Sequence, residues 1–256
     1  MSALATESVE EKILSRKWFY EFKLPSGRKT EMYIPRAMAE IHDTRLSMLF
    51  SVLDPMFEGR WQETSCLDIA SHEGFFASRM AARGCREVLG LDARPEHVTH
   101  ATWIKEAYGY NNLSFQVADV RTINAETSTP ADIVVMFGLI YHLENPVQAL
   151  HLAAKLTKKV CLVETQVTPN ISGMADWGAC HAKKEMLGTF TIIDEMAETD
   201  RPEASVSGIS LCPSKEAVMW LMRRFGFSRV EVVAPPLLGY EQLVSGNRII
   251  VAGYKD

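Results

Sequence analysis

The stretch that most constrains the fold is "SCLDIASHEGFFASRMAARGCREVLGLDA", Ser65 to Ala93. An apolar run passes through a small-residue turn into a helical segment, and then into a second apolar run that ends on an acid. Strand, helix and strand in that order predict a parallel pair with its crossover, the repeating unit of an α/β sheet covered on both faces. The rhythm continues downstream. Strands are predicted at Cys66–Ala70, Glu87–Asp92, Leu113–Val117, Asp132–Phe137 and Val160–Thr165, with helices at Gly74–Arg83, Pro95–Tyr108 and Pro146–Leu156. Pro95 and Pro146 fall in a first helical turn, where the missing N–H would be unpaired in any case. A helix at Ser214–Phe225 and strands at Arg229–Val233 and Arg248–Tyr254 close the pattern, and the short loop between these strands predicts that they pair antiparallel.

Two segments stand outside this rhythm. Before Ser65, "RKWFYEFKLPSGRKT" predicts a small hairpin turning at Ser26–Gly27, and Ala37–Phe57 an amphipathic helix. From Gln166 to Cys212, prolines, glycines and acids mix with Trp177, Met174, Met186 and Phe190. A connection this long is expected to carry helices of its own and to cover a site. The expected organisation is an N-terminal extension over 1–64 and an α/β domain over 65–256 with a lid insertion at about 166–212.

A chain of 256 residues, 47% of them hydrophobic, is long enough for a well-filled core. No apolar run approaches the ~20 residues that cross a bilayer, and the acidic, polar start is unlike a secretory signal, so a cytoplasmic protein is expected. The five cysteines, Cys66, Cys85, Cys161, Cys180 and Cys212, show no C-x-x-C spacing, and neither zinc nor a disulfide is expected. A net charge of −5 supplies no broad basic field for a phosphate backbone.

The turn itself narrows the ligand. A strand that ends in a tight turn and enters a helix gathers backbone N–H groups at the crevice where open α/β sheets bind ligands. A dinucleotide site wants G-x-G-x-x-G, whereas Ala70-Ser71-His72-Glu73-Gly74 keeps one glycine, with Phe75–Phe76 filling the place of the helix glycine. Glu73 would also direct a negative charge at a pyrophosphate. The turn therefore suits a ligand with a positive charge and no phosphate, and a nicotinamide-dependent dehydrogenase is disfavoured. Asp92, roughly 20 residues on, stands where a carboxylate accepts from both ribose hydroxyls. Asp119, in "FQVADV", can reach an adenine edge. Asp68, inside the first strand, needs a partner if ionised and buried, and an amino group on the ligand would be one.

At these residues the chain resembles the class I S-adenosyl-L-methionine-dependent methyltransferases, through "LDIASHEGFFA", "VLGLDA", "VADV", "ADIVVMFGLIYHLENP" and "VCLVET" in order. "GLIYHLENPVQAL" and "CPSKEAVMWLMRRFGFSRVEVV" are similar to the branch that contains the tRNA wobble-uridine carboxymethyltransferases. The resemblance implies a Rossmann-like, seven-stranded, mostly parallel sheet with its last strand antiparallel, and S-adenosyl-L-methionine as cofactor. It implies that Asp68, Ala70 and Gly74 surround the methionine part, and that Ser71 and His72 line the turn. Asp92, with Ala93 beside it, would hold the ribose, Asp119 with Val120 the adenine, and Phe137 with Gly138 the wall beneath the sulfonium. The acidic balance and the 64 residues before the first strand point away from RNA and from a carboxylated cofactor.

Methyl transfer to an oxygen needs a group that takes the acceptor's proton. Tyr141 and His142 lie just past the fourth strand, and His142, which titrates near neutrality, is the first candidate; hydrogen bonding to loop backbone is the alternative. Glu164, ending the fifth strand, is a candidate to orient the acceptor or to cap the strand. No metal site is expected. His42 and Arg45 on the N-terminal helix, and Trp177 and His181 in the insertion, are the candidate acceptor contacts, with a solvated helix face and a sealed lid core as alternatives. The favoured function is methylation of a small-molecule acceptor, on oxygen ahead of nitrogen or carbon. A tRNA-modifying enzyme and a non-catalytic S-adenosylmethionine-binding relative remain as alternatives, and monomer or homodimer stays open.

Overall fold

The computed structural model describes residues 8–178, 183–198, 201 and 203–256. The chain divides into two compact units, the first ending at Thr122 and the second starting at Ile123.

Unit 1 begins with α1 (Val9–Leu14), capped by Ser8, followed by the two-residue strands β1 (Lys17–Trp18) and β2 (Glu31–Met32) and the long helix α2 (Arg36–Phe57). Its sheet strands are β3 (Ser65–Ile69), β4 (Glu87–Asp92) and β5 (Leu113–Val117), with α3 (Phe75–Ala82) and α4 (Pro95–Tyr108) as crossovers. β3 pairs parallel with β4, and β4 with β5, in a register that sets Asp68 beside Gly90 and Asp92 beside Val117. β3 is buried along its whole length, as expected of a parallel strand covered on both faces. The Phe115 ring lies 2.4 and 2.5 Å from where a Cβ on Gly90 or Gly74 would sit, so a side chain at either position requires that ring to move.

Unit 2 holds β6 (Ala131–Phe137), α5 (Pro146–Leu156), β7 (Thr157–Gln166), β8 (Gly173–Ala175), β9 (Lys184–Met186), β10 (Phe190–Asp194), β11 (Ile209–Pro213), α6 (Lys215–Arg224), β12 (Arg229–Val232), α7 (Glu241–Val244) and β13 (Arg248–Tyr254). Side-chain caps start its main helices: Asn145 accepts from the Gln148 N–H at 3.0 Å, and Ser214 from the Ala217 N–H at 3.2 Å. β6 and β7 run parallel, while β13 is antiparallel to both β7 and β12. The seven strands stand in the order β12-β13-β7-β6-β3-β4-β5, the expected mostly parallel α/β sheet with its last strand antiparallel.

Two expectations about the irregular segments are corrected. The insertion carries no α-helix among its described residues. It forms two antiparallel ribbons, β8 with β9 and β10 with β11, plus one short 3₁₀ turn. The run "TFTIID" explains the second ribbon, because Thr and Ile crowd a helical turn and fit a pleat. The N-terminal hairpin keeps its turn, where the Gly27 N–H donates to Leu24 O, but its arms do not form a regular antiparallel ladder. Thr30 Oγ1 accepts from the Phe22 N–H and donates to Tyr20 O, taking over main-chain bonds, and the outer pairing of β1 with β2 is parallel.

No helix among the described residues is long and apolar enough to cross a membrane. Cys66, Cys85, Cys161 and Cys212 are buried free thiols, and Cys180 lies outside the described residues.

Candidate functional site

The turn between β3 and α3 organises unit 1. Ala70 and His72 adopt left-handed backbone, φ 60° and 50°, and Gly74 follows at φ 78°. These conformations cost a residue with a side chain roughly 1–2 kcal/mol and suit glycine. The chain keeps the shape of a glycine turn where the letters are alanine and histidine. Ser71 N donates to Leu91 O at 2.9 Å, Gly74 N to Ser71 O at 2.8 Å, and His72 N to Asp92 Oδ2 at 2.8 Å, so the end of β4 holds the turn in place.

Asp68 is buried and receives one donor among the described residues, the Ala77 N–H of α3 at 3.1 Å. Burial pushes its carboxyl up to about 8, against the help of that N–H, and the nearby Asp92 charge adds to the rise. The buried Ser71 hydroxyl has no partner among the described residues.

Asp92 is better supplied. Oδ1 accepts from Arg94 N at 2.9 Å and faces His97 Nδ1 at 3.1 Å, while Oδ2 takes the His72 N–H. Burial pulls this carboxyl upward, but the His97 ring, the Arg94 N–H and the His72 charge outweigh it and hold it below the usual carboxylate range. The His72 and His97 rings lie 3.9 Å apart between centroids, tilted by 33°. Ala93 is exposed beside them.

Glu73 does not face a ligand's phosphate, as the sequence reading had it. It is buried against the N-terminal segment, accepting from Arg16 Nη1 at 3.0 Å and from the Phe19 N–H at 2.9 Å. The same segment lays Phe19 and Tyr20 against His72, and stacks Tyr20 on Phe75 at 4.7 Å. His42 and Arg45 are buried on α2, which removes the solvated-face alternative for them. His42 packs between Phe19 and Tyr20 and borders a cleft of about 390 Å³ with Lys23, Arg36, Glu40 and Arg79. Asp119 is half-buried next to buried Val120, and its carboxylate is forked by Arg121 two residues on, at 2.6 and 3.0 Å. That bond, ahead of any burial effect, holds Asp119 below the usual range. An adenine contact there requires Arg121 to share it.

In unit 2, Phe137 is buried at the end of β6 and Gly138 turns left-handed, φ 71°. The Gly138 N–H donates to Glu164 Oε2 at 2.8 Å. Glu164 is fully buried, and its Oε1 receives Arg248 Nη1 at 2.8 Å. The same guanidinium donates to Tyr141 Oη at 3.0 Å, and its Nε to Gln242 Oε1 at 3.1 Å. Burial lowers the Arg248 pKa, but the Glu164 charge and the bonds to Glu164 and Tyr141 outweigh it and hold the guanidinium cationic. Both Glu164 oxygens thus take donors from the protein itself, Gly138 and Arg248, which matches the capping alternative for this residue. Among the described residues no cluster of metal-ligating side chains is found.

His142 stands beside Tyr141, ring centroids 4.1 Å apart, and its Nδ1 lies 2.8 and 2.9 Å from the two oxygens of Glu195. Burial lowers its pKa and Glu195 opposes the fall. Trp177 is 68% exposed and does not seal a lid core; His181 lies outside the described residues.

Three participants escaped the sequence reading. His97 had a signal, an acid ending a strand with a histidine in the first turn of the next helix. Arg248 and Glu195 had none: they reach their partners across 84 and 53 residues of chain.

A mostly parallel sheet of this order, with a glycine-shaped turn after β3 and an acid ending β4, is a Rossmann-like architecture that binds its ligand at the ends of the strands. The family model described as a methyltransferase domain matches residues 62–226, and the chain belongs to that family of S-adenosylmethionine-dependent enzymes. A curated relative, the tRNA U34 carboxymethyltransferase of Desulfotalea psychrophila, is 24% identical over 191 residues. That match covers 74% of this chain but only 53% of the relative, so the chain spans about half the relative's length. Among solved structures, the N-terminal domain of EvdMO1, determined in the presence of SAH and D-fucose, aligns with TM-score 0.67 and 21% identity over 93% of this chain and 91% of that one. Magnesium protoporphyrin IX methyltransferase from Synechocystis PCC 6803, with bound SAH, aligns with TM-score 0.57 and 13% identity over 88% and 90%. These two likenesses are of fold.

Proposed function

We propose that the protein transfers the methyl group of S-adenosylmethionine to a small-molecule acceptor, with oxygen as the favoured atom. The observation that carries the cofactor half is Asp68: among the described residues, a buried carboxylate with a single backbone donor, near a Ser71 hydroxyl that has no partner there, at a turn of glycine shape. These residues fit the ammonium and carboxylate of an amino-acid tail. Asp92 retains lone pairs for ribose hydroxyls, since Oδ2 carries only the His72 N–H among the described residues. Asp119 and Val120 are assigned to the adenine.

Bound there, S-adenosylmethionine supplies a methyl group on a sulfonium leaving group. The protein's share is alignment, exclusion of water and removal of the acceptor's proton. We assign that last task to His142. With Nδ1 held by Glu195, its Nε2 makes no hydrogen bond among the described residues and keeps a lone pair for the proton. Tyr141, bonded to Arg248, orients the neighbourhood of that ring. His42 and Arg45 are proposed as acceptor contacts contributed by unit 1, and Trp177 as one contributed by unit 2. The net charge of −5 supports a small acceptor over RNA. The similarity to a tRNA U34 carboxymethyltransferase favours tRNA as the second reading.

Calorimetric titration with S-adenosylmethionine and, in parallel, NADH tests the cofactor. Transfer of labelled methyl groups to D-fucose, to a metalloporphyrin carboxylate and to a tRNA transcript tests the acceptor class. Binding of NADH alone overturns the first half, and labelling of tRNA alone overturns the second.

A further inference from the structure

We propose that Glu195 is a positioning residue for His142, holding the imidazole through Nδ1–H so that Nε2 is the nitrogen left to accept a proton. The inference deepens the reading above and rests on it for the role of His142.

Glu195 follows β10 directly and is fixed on three sides. Its main-chain N–H donates to Gly208 O at 2.7 Å, its Oε2 accepts the Ser205 N–H at 2.7 Å, and both carboxylate oxygens face His142 Nδ1. The ribbon is in turn tied to the segment that carries the histidine, because Leu211 N of β11 donates to Leu143 O at 2.9 Å. The two side chains are only 11% and 19% exposed, so water competes weakly for the bond. A carboxylate has no proton to give, so a neutral imidazole meeting it must carry its hydrogen on Nδ1. In a free histidine that hydrogen has a choice of nitrogens, and Glu195 removes the choice.

The charged and titratable groups around His142 come from four places: Glu195 in the insertion, Glu164 on β7, Arg248 on β13 and Tyr141 next to it in sequence. Glu164 and Arg248 bond to one another, which leaves Glu195 as the unneutralised charge on the ring. Loss of that charge must therefore lower the pH at which His142 takes up a proton.

The test is a titration of ¹⁵N-histidine-labelled full-length protein by long-range ¹H–¹⁵N NMR, which reads the midpoint and the tautomer of His142 without an acceptor. Glu195→Gln keeps an amide oxygen for Nδ1–H but removes the charge: the midpoint falls and the tautomer stays. Glu195→Ala removes both, so the tautomer is released as well. Glu195→Asp restores the charge and brings the midpoint back toward that of the unaltered protein. The backbone amide spectrum of each variant reports whether it is folded. On whichever probe acceptor the unaltered protein methylates, Glu195→Ala lowers kcat about 10- to 100-fold with KM little changed. The acid limb of the kcat/KM profile moves down in Glu195→Gln along with the NMR midpoint. An unchanged midpoint in Gln and an unchanged tautomer in Ala overturn the proposal. If His142→Ala turns over normally, the assignment of His142 itself fails, an outcome separate from failure of the Glu195 variants beside an inactive His142→Ala.

Discussion

Asp68→Asn should make the protein more stable and a poorer binder of S-adenosylmethionine. The carboxyl rises from its ordinary 3.8 to about 8 because burial penalises its charge and one N–H compensates only in part. An acid whose folded value is raised binds more proton in the native state than in the unfolded one between those two pH values. Stability therefore falls as pH climbs from about 4 to about 8, and levels off above. At about 1.4 kcal/mol per pH unit, the full rise amounts to roughly 6 kcal/mol, an upper bound because the protein can relax around the charge. Asn keeps an oxygen for the Ala77 N–H and has nothing to ionise. The stability difference between Asp68→Asn and the unaltered protein should thus widen steadily between pH 5 and 8 in urea unfolding followed by circular dichroism. Cofactor binding runs the other way. An ammonium ion pairs with the ionised carboxylate, so affinity should rise toward pH 8 with uptake of the cation coupled to release of a proton, visible as a calorimetric heat that depends on the buffer's ionisation enthalpy. A stability difference that is flat from pH 5 to 9 would refute the reasoning, whatever happens to binding.

Other perturbations follow from the same geometry. Arg248→Met strands the Glu164 charge in the core and should cost about 3–5 kcal/mol, and the double variant with Glu164→Gln should recover much of that; additive losses in a denaturation cycle would show that the pair is not coupled. Glu73→Ala removes the acceptor of Arg16 and of the Phe19 N–H, and should expose residues 8–22 to limited proteolysis well before α4 is cut. Ala70→Gly relieves a left-handed alanine and should stabilise by a few tenths to about 1 kcal/mol; a lower Tm would mean that the alanine methyl packs too well to lose.

Much of the sheet was legible. β4, β5, α4, α5 and β13 fall on their expected limits, because Glu87–Asp92 or Pro95–Tyr108 states its type through burial period and a proline start. β7 begins at Thr157 rather than Val160, because polar Lys158 and Lys159 fall where the pairing with β6 shifts register, between Ala131–Thr157 and Ile133–Val160. The insertion was misread because its strands are short and mostly exposed, and so lack the alternation that burial writes into a sequence. At the turn, the residue letters understated the structure: glycine backbone survives at Ala70 and His72. Local pattern singled out Asp68, Asp92, Tyr141 and His142 as candidates. It could not separate the carboxylates paired with side chains or several donors, Glu73, Asp119 and Glu164, from Asp68, which has one backbone donor among the described residues, since each partner except Arg121 arrives from far along the chain.

The strand that leads into Glu195, β10, is exposed along most of its length. Ile192 is 75% exposed, Ile193, Met196, Val206 and Ile209 also face solvent, and few side chains anchor β10. Segments of that kind open locally long before the sheet beneath them unfolds. The Ser205 and Leu211 amides should therefore exchange with deuterium orders of magnitude faster than those of β7, and each opening releases the imidazole to rotate and swap its hydrogen between nitrogens. The histidine would then be primed only while the ribbon is shut, which makes the lifetime of that closed state a quantity that activity depends on.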